Sequence, residues 1–194
     1  MKKIAVLVSG GGSNLQSLID NTSIKDNIKL VISNKDDAYG LVRANTYQID
    51  NYVIKKDDDK LLECLLKYEI DLIVLAGYLA LIDKKIVEAF PNKIINIHPA
   101  LIPSFCGKKA YGINVHKMAF EKGVKVSGAT IHFVNALYDE GMIIAQEAVD
   151  ISDCNSPQEI ADKVLKVEHK LLPEVVLKLC NNQVKINDGR VKVE

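Results

Sequence analysis

The chain has no surplus of either charge: 25 Lys and Arg balance 25 Asp and Glu among 194 residues. It therefore lacks the basic footprint of a nucleic-acid binder, and no long like-charge tail stands in for one. Any anionic ligand has to be held by a local site. Long apolar runs are also missing, since none approaches the roughly 20 residues of a membrane-spanning helix, so no membrane partner is expected. The start, Met1-Lys2-Lys3, leads into a short run from Ile4 to Val8 that ends in glycines rather than a small-residue cleavage site. That run reads as a first strand, not a secretion signal. Cys64, Cys106, Cys154 and Cys180 are scattered, with no Cys-x-x-Cys spacing. Cys64 and Cys180 lie in leucine-rich helical patterns and read as reduced core residues, with the cytoplasm as the expected compartment. His98, His116, His132 and His169 form no His-x-x-x-His pair, and no metal is expected.

What is present is an alternation of apolar runs with amphipathic stretches, the pattern of a parallel sheet covered on both faces by helices. Strands are expected over Ile4 to Val8, Ile28 to Ser33, Tyr52 to Ile54, Leu72 to Leu75 and Ile94 to Ile97. A closer, antiparallel pair is expected from Val126 to Val134 and Met142 to Val149. Helices are expected over Ser13 to Asp20, Tyr39 to Asn45, Asp58 to Tyr68, Lys84 to Ala89, His116 to Lys122 and, longest, Pro157 to Leu179. With no linker or repeat, residues 1–194 read as one doubly wound, mostly parallel α/β domain of Rossmann-like type. Such sheets bind ligands beyond the carboxyl ends of their strands.

Three motifs fall at or near such ends. Asn96-Ile97-His98-Pro99 closes the run Ile94-Ile95, and residues two apart on a strand project from one face. Pro99 holds His98 extended. Asp139-Glu140-Gly141 precedes another apolar run, and Asn96, His98 and Asp139 on one cleft would make an acid/base site with a donor for a developing oxyanion. His98 alone reads equally as a buried histidine bonded to backbone, and both readings stay open. Gly10-Gly11-Gly12-Ser13-Asn14 follows a strand and opens a helix, so its amides suit a phosphate. A ligand-free tight turn, with Ser13 or Asn14 capping the helix, fits as well. A dinucleotide fingerprint would need glycine at Leu15, and no Walker lysine is present.

Taken in order, Val8 to Leu15, Val31-Ile32-Ser33-Asn34-Lys35, Leu75-Ala76-Gly77-Tyr78, Asn96 to Pro103, Val126 to Val134, Asp139-Glu140-Gly141 and Glu168 to Pro173 resemble the folate-dependent phosphoribosylglycinamide formyltransferases over nearly the whole chain. The resemblance implies formyl transfer from 10-formyltetrahydrofolate to the amine of 5-phosphoribosyl-glycinamide in purine synthesis. It makes Asn96, His98 and Asp139 the catalytic set, with Asp139 favouring a protonated His98. It assigns the substrate phosphate to Gly12, Ser13 and Asn14, and the glycinamide to Glu168, which by pattern alone reads as part of a solvated turn. By pattern alone Leu79, Ala80, Leu81 and Ile82 read as an ordinary strand-to-helix loop; the resemblance places folate along them, with Asn96 contributing and Lys60 the nearest candidate for the tail. Ala80 stands where some relatives carry arginine. His132 reads either as catalytic or as a core hydrogen-bond partner. Residues 106–114 exceed the commonest length of that loop, as a lengthened lid would, and Lys108 and Lys109 would either steer anions there or merely remain solvated. Small-molecule substrates and a monomer or homodimer are implied.

Other readings compete. A methionyl-tRNA or sugar-nucleotide formyltransferase would share the three catalytic residues but usually carries a second domain. A formyltetrahydrofolate hydrolase would use water as acceptor and normally adds a regulatory domain. A non-catalytic nucleotide-binding module would explain the glycine loop but give Asn96, His98 and Asp139 no purpose.

Overall fold

β-Branched and leucine-rich runs form strands here where helices can cover both sheet faces. The computed structural model describes residues 2–107, 110–135 and 139–194, so the expectation for Lys108 and Lys109 lies outside the described residues. Two compact units divide the chain, Met1–Asn96 and Ile97–Glu194.

In the first unit, β1 (Ile4–Val8), β2 (Ile28–Ser33), β3 (Asp50–Val53), β4 (Leu72–Leu75) and the start of β5 (Ile94–His98) run parallel in the order β3-β2-β1-β4-β5. Every residue of β1 and β4 is buried, as a doubly covered sheet requires. Helices α1 (Ser13–Asp20), α2 (Tyr39–Thr46), α3 (Asp58–Lys67) and α4 (Lys84–Ala89) fill the connections. Asp57 and Asp83 cap α3 and α4 by accepting from the amides of Lys60 and Lys85. The chain leaves β1 toward β2 and β3, then returns to β1's other side as β4, so the switch point of the sheet lies beyond the carboxyl ends of β1 and β4. Register sets Leu7 abreast of Leu75, Val8 of Ser33 and Leu75 of Asn96. The glycine run, Asn34 and the residues after Leu75 therefore leave the sheet at one end, level with Asn96 on β5.

The second unit takes up β5 at Ile97 and His98 and continues the order β5-β6-β7, with β6 (Val126–Phe133) and β7 (Ile143–Asp150) antiparallel. Helices α5 (Ile113–Lys122) and α6 (Pro157–Cys180) pack on each other, and α6 also covers β6 and β7. A variant of the capping box starts α6. Ser156 accepts from the Glu159 amide, the Glu159 carboxylate accepts from the Asn155 amide, and Pro157 occupies the first turn.

The mostly parallel sheet, the antiparallel pair and the long last helix are as expected; beyond one-residue shifts at element ends, four differences stand out. β3 spans Asp50–Val53, earlier than Tyr52 to Ile54. α5 starts at Ile113, because Gly112 at φ 54 turns the chain into the helix three residues before His116. A hairpin of β8 (Val184–Asn187) and β9 (Arg190–Val193) follows α6. Cys64 and Cys180 are half-buried rather than in the core; Leu61 and Leu65 fill the buried stripe of α3 and leave Cys64 on its flank. Among the described residues no helix is long and apolar enough to cross a membrane.

Candidate functional site

At the sheet edge of the first unit, Ser9 ties three loops together. Its hydroxyl donates to Asn34 Oδ1 at 2.6 Å and accepts the Leu79 amide at 2.8 Å. The glycine run then passes so close to α2 that a Cβ on Gly12 would lie 2.7 Å from Gly40 Cα, while Gly12 itself sits at φ 68. Only glycine meets both demands. Gly40 is constrained in turn, since a Cβ there would meet Val8 Cγ2 at 2.9 Å, and its amide donates to the Gly10 carbonyl at 3.0 Å. Gly10 and Gly11 have open space where a Cβ would go. Gly12, rather than Ser13 or Asn14, is the cap residue of α1, because its left-handed backbone makes the turn that the side chains would otherwise have to complete. The Gln16 amide closes the first helical turn on the Gly12 carbonyl at 2.9 Å. The amides of Ser13, Asn14 and Leu15 thus precede the first intrahelical bond, the arrangement that suits an anion.

Arg43 of α2 completes this loop. Its Nε donates to the Gly11 carbonyl at 2.9 Å, its Nη1 donates to Gln16 Oε1 at 2.8 Å, and the guanidinium lies 5.1 Å from the Tyr39 ring centroid. Sequence reasoning singled out neither Ser9 nor Arg43 for a role. Ser9 offered a faint signal, a hydroxyl between a strand and glycines; Arg43 offered none, because nothing local in α2 points to a glycine 32 residues earlier. Along the loop after β4, Leu79 and Leu81 are exposed, Ala80 is half-buried and Ile82 is buried, leaving two leucines free to wall an apolar ligand. The Leu79 amide is already used by Ser9. Lys60 is exposed on α3.

In the second unit, His98 is 4 % exposed and its Nε2 donates to the Phe105 carbonyl at 2.9 Å. That contact fixes the proton on Nε2, since a carbonyl can only accept. Nδ1 then lies 3.7 Å from Asp139 Oδ2, and His132 Nε2 lies 3.6 Å from Asp139 Oδ1, so one carboxylate stands between two imidazoles. Both gaps are too long for a direct hydrogen bond. The Gly107 amide donates to Asp139 Oδ2 at 2.9 Å, and His132 Nδ1 donates to the Phe133 carbonyl at 2.8 Å. Gly141 allows that last arrangement, because a Cβ there would fall 1.6 Å from the Phe133 oxygen. Asp139 holds a left-handed backbone, φ 56, which Asp tolerates better than most residues.

The Asp139 carboxylate favours the His98 cation, as expected of it, but burial acts the other way and is the larger effect. Burial pushes the His98 imidazole below its ordinary value, outweighing the Asp139 carboxylate and the Phe105 contact that favour the cation. His98 is therefore held mainly neutral near pH 7. For Asp139, burial acts upward, yet His132, the Gly107 amide and the charge of His98 together hold the carboxyl below the usual range. His116 of α5 is 6 % exposed. Burial, then the neighbouring His98, push it down to about 4.

Asn96 is half-buried two residues before His98 on β5. Glu168 is 6 % exposed inside α6, so it belongs to no solvated turn; it lies among the buried, mostly apolar residues of that helix. Among the described residues no group of three or more His, Cys, Asp and Glu is placed to hold a metal ion.

Comparison with known proteins is consistent along the chain. The formyl transferase family model matches residues 2–176. A chloroplastic phosphoribosylglycinamide formyltransferase of Arabidopsis thaliana is 44% identical over 98% of this chain and 69% of its own length. The phosphoribosylglycinamide formyltransferase of Haemophilus influenzae is 39% identical, covering 97% and 92%. The crystal structure of glycinamide ribonucleotide transformylase 1 from Symbiobacterium toebii superposes with a TM-score of 0.91 at 37% identity, over 100% of this chain and 94% of that one.

Proposed function

The chain belongs to the phosphoribosylglycinamide formyltransferases of the formyl transferase family, and from that premise we propose that it moves a formyl group from 10-formyltetrahydrofolate to the amine of 5-phosphoribosyl-glycinamide. Residues 1–194 act in this reading as one formyltransferase domain. The observation that carries it is the Asp139 carboxylate standing between His98 and His132, at 3.7 and 3.6 Å, beside a strand that also carries Asn96.

The substrate phosphate takes the amides of Gly12, Ser13 and Asn14, and Glu168 receives the glycinamide end. Leu79, Ala80, Leu81 and Ile82 hold the folate ring, with Asn96 beside it and Lys60 available to its acidic tail. The neutral amine attacks the formyl carbon and a tetrahedral oxyanion forms, to which the Asn96 carboxamide donates. The proton shed by the amine passes to Nδ1 of neutral His98, directly or through water held by Asp139. The imidazolium formed faces the ionised Asp139, which stabilises it. His98 then returns the proton to the folate nitrogen as the bond from that nitrogen to carbon breaks and the carbonyl re-forms. A histidine poised near neutrality suits both halves of this transfer.

The experiment is release of 5,8-dideazafolate from its 10-formyl analogue, with and without ribosylglycinamide. Release only with the acceptor is expected. Release without it would make the protein a hydrolase, and no release in either case would leave a binding module.

A further inference from the structure

We propose that Arg43 is a positioning residue for the phosphate loop and sets how strongly the enzyme prefers a phosphorylated acceptor; this rests on the phosphate assignment above. An anion nest needs amide hydrogens facing the ligand, yet the peptide units joining Gly10, Gly11 and Gly12 are the ones that turn over most cheaply, because glycine has no Cβ to resist it. A flipped unit would aim a carbonyl oxygen at the phosphate and repel it. Both carbonyls at risk are pinned from α2: Gly10 by the Gly40 amide at 3.0 Å and Gly11 by Arg43 Nε at 2.9 Å.

The Gly40 contact is backbone, but the Arg43 contact is a choice of side chain. Arg43 is itself braced. Nη1 reaches Gln16 on α1 at 2.8 Å, and Gln16 is held by donating to Asp20 at 2.8 Å and Tyr47 at 3.1 Å. Tyr39 covers the guanidinium face, with the ring centroid 5.1 Å away. One planar fork therefore links both helices to the loop while placing a positive charge beside it. A lysine could keep the charge but not the two-ended link.

The test uses steady-state kinetics with 5-phosphoribosyl-glycinamide and its dephosphorylated form on the parent protein, Arg43→Met, Arg43→Lys and Gln16→Leu. Arg43→Met should raise KM for the phosphorylated acceptor roughly tenfold or more, shrink the preference for phosphate, and move KM for the folate far less. The loss should fall on KM rather than on kcat. Arg43→Lys should recover only part of the preference, and Gln16→Leu should lose part of it. Full recovery by lysine would reduce the role to charge and overturn the clamp, as would an unchanged preference in Arg43→Met. Should Arg43→Met melt too low to assay, unchanged preference in both Arg43→Lys and Gln16→Leu overturns it equally. If the parent protein itself shows no preference for phosphate, the loop assignment fails first, before any variant is compared.

Discussion

Burial decides the chemistry of single residues here. Asn96→Ala should cut turnover by on the order of 10²- to 10³-fold with the fold intact, as loss of one oxyanion donor does; near-normal turnover at saturating substrates would remove Asn96 from the mechanism. Asp139→Asn keeps a residue that tolerates the left-handed backbone but deletes the carboxylate that lifts the His98 value. His98 should then titrate at lower pH than in the parent, read by NMR, and turnover should fall with the loss of imidazolium stabilisation. His116 carries a stability prediction of definite sign. Its folded value of about 4 lies below the ordinary histidine value of about 6.5, so the unfolded chain binds a proton that the native state refuses. Stability therefore declines as pH falls from about 6.5 to about 4, by on the order of 3 kcal/mol from this group. His116→Leu also removes a buried nitrogen, Nδ1, that has no hydrogen-bond partner among the described residues. Urea unfolding should show a shallower decline in the variant, and an equal decline would place the acid sensitivity elsewhere.

At the scale of elements, the crossing of the glycine loop and α2 is the tightest constraint. Gly12→Val puts a β-branched side chain at φ 68 and a Cβ 2.7 Å from Gly40 Cα, so the loop must move. Calorimetry should show ribosylglycinamide weakened far more than folate, and a smaller penalty for removing its phosphate. Equal losses for both ligands would put the phosphate elsewhere. The terminal hairpin poses a different question. β7 is the last strand in the order of its sheet, β9 touches it, and the family match ends at residue 176. Deleting residues 183–194 should spare formyl transfer but bare a strand edge, and exposed edges pair with other chains. Light scattering should report self-association, whereas lost turnover in a monodisperse protein would tie the hairpin to the site.

For the whole molecule, a formal net charge of zero near pH 7 predicts a solubility minimum close to neutrality, rising on either side. A monotonic solubility curve would contradict it. The alternation of doubly buried strands with amphipathic helices was legible because periodicity and run length are local properties, and β1, β2, β4, α1 and α4 match residue for residue. Asn96, His98, Asp139 and the glycine loop stood out as candidates through motifs whose spacing is short. Asp188-Gly189 also marked its hairpin, both residues taking positive φ, so that omission was one of reading rather than of information. Tertiary structure alone decided the rest. It brought Arg43 to Gly11, Ser9 to Leu79 and Asp139 to His98, all joined across long stretches of chain, and set the same carboxylate near His132. It also decided protonation. A carboxylate's attraction can be anticipated from a motif, but desolvation depends on how much chain closes over the imidazole, and for His98 that second effect is the larger.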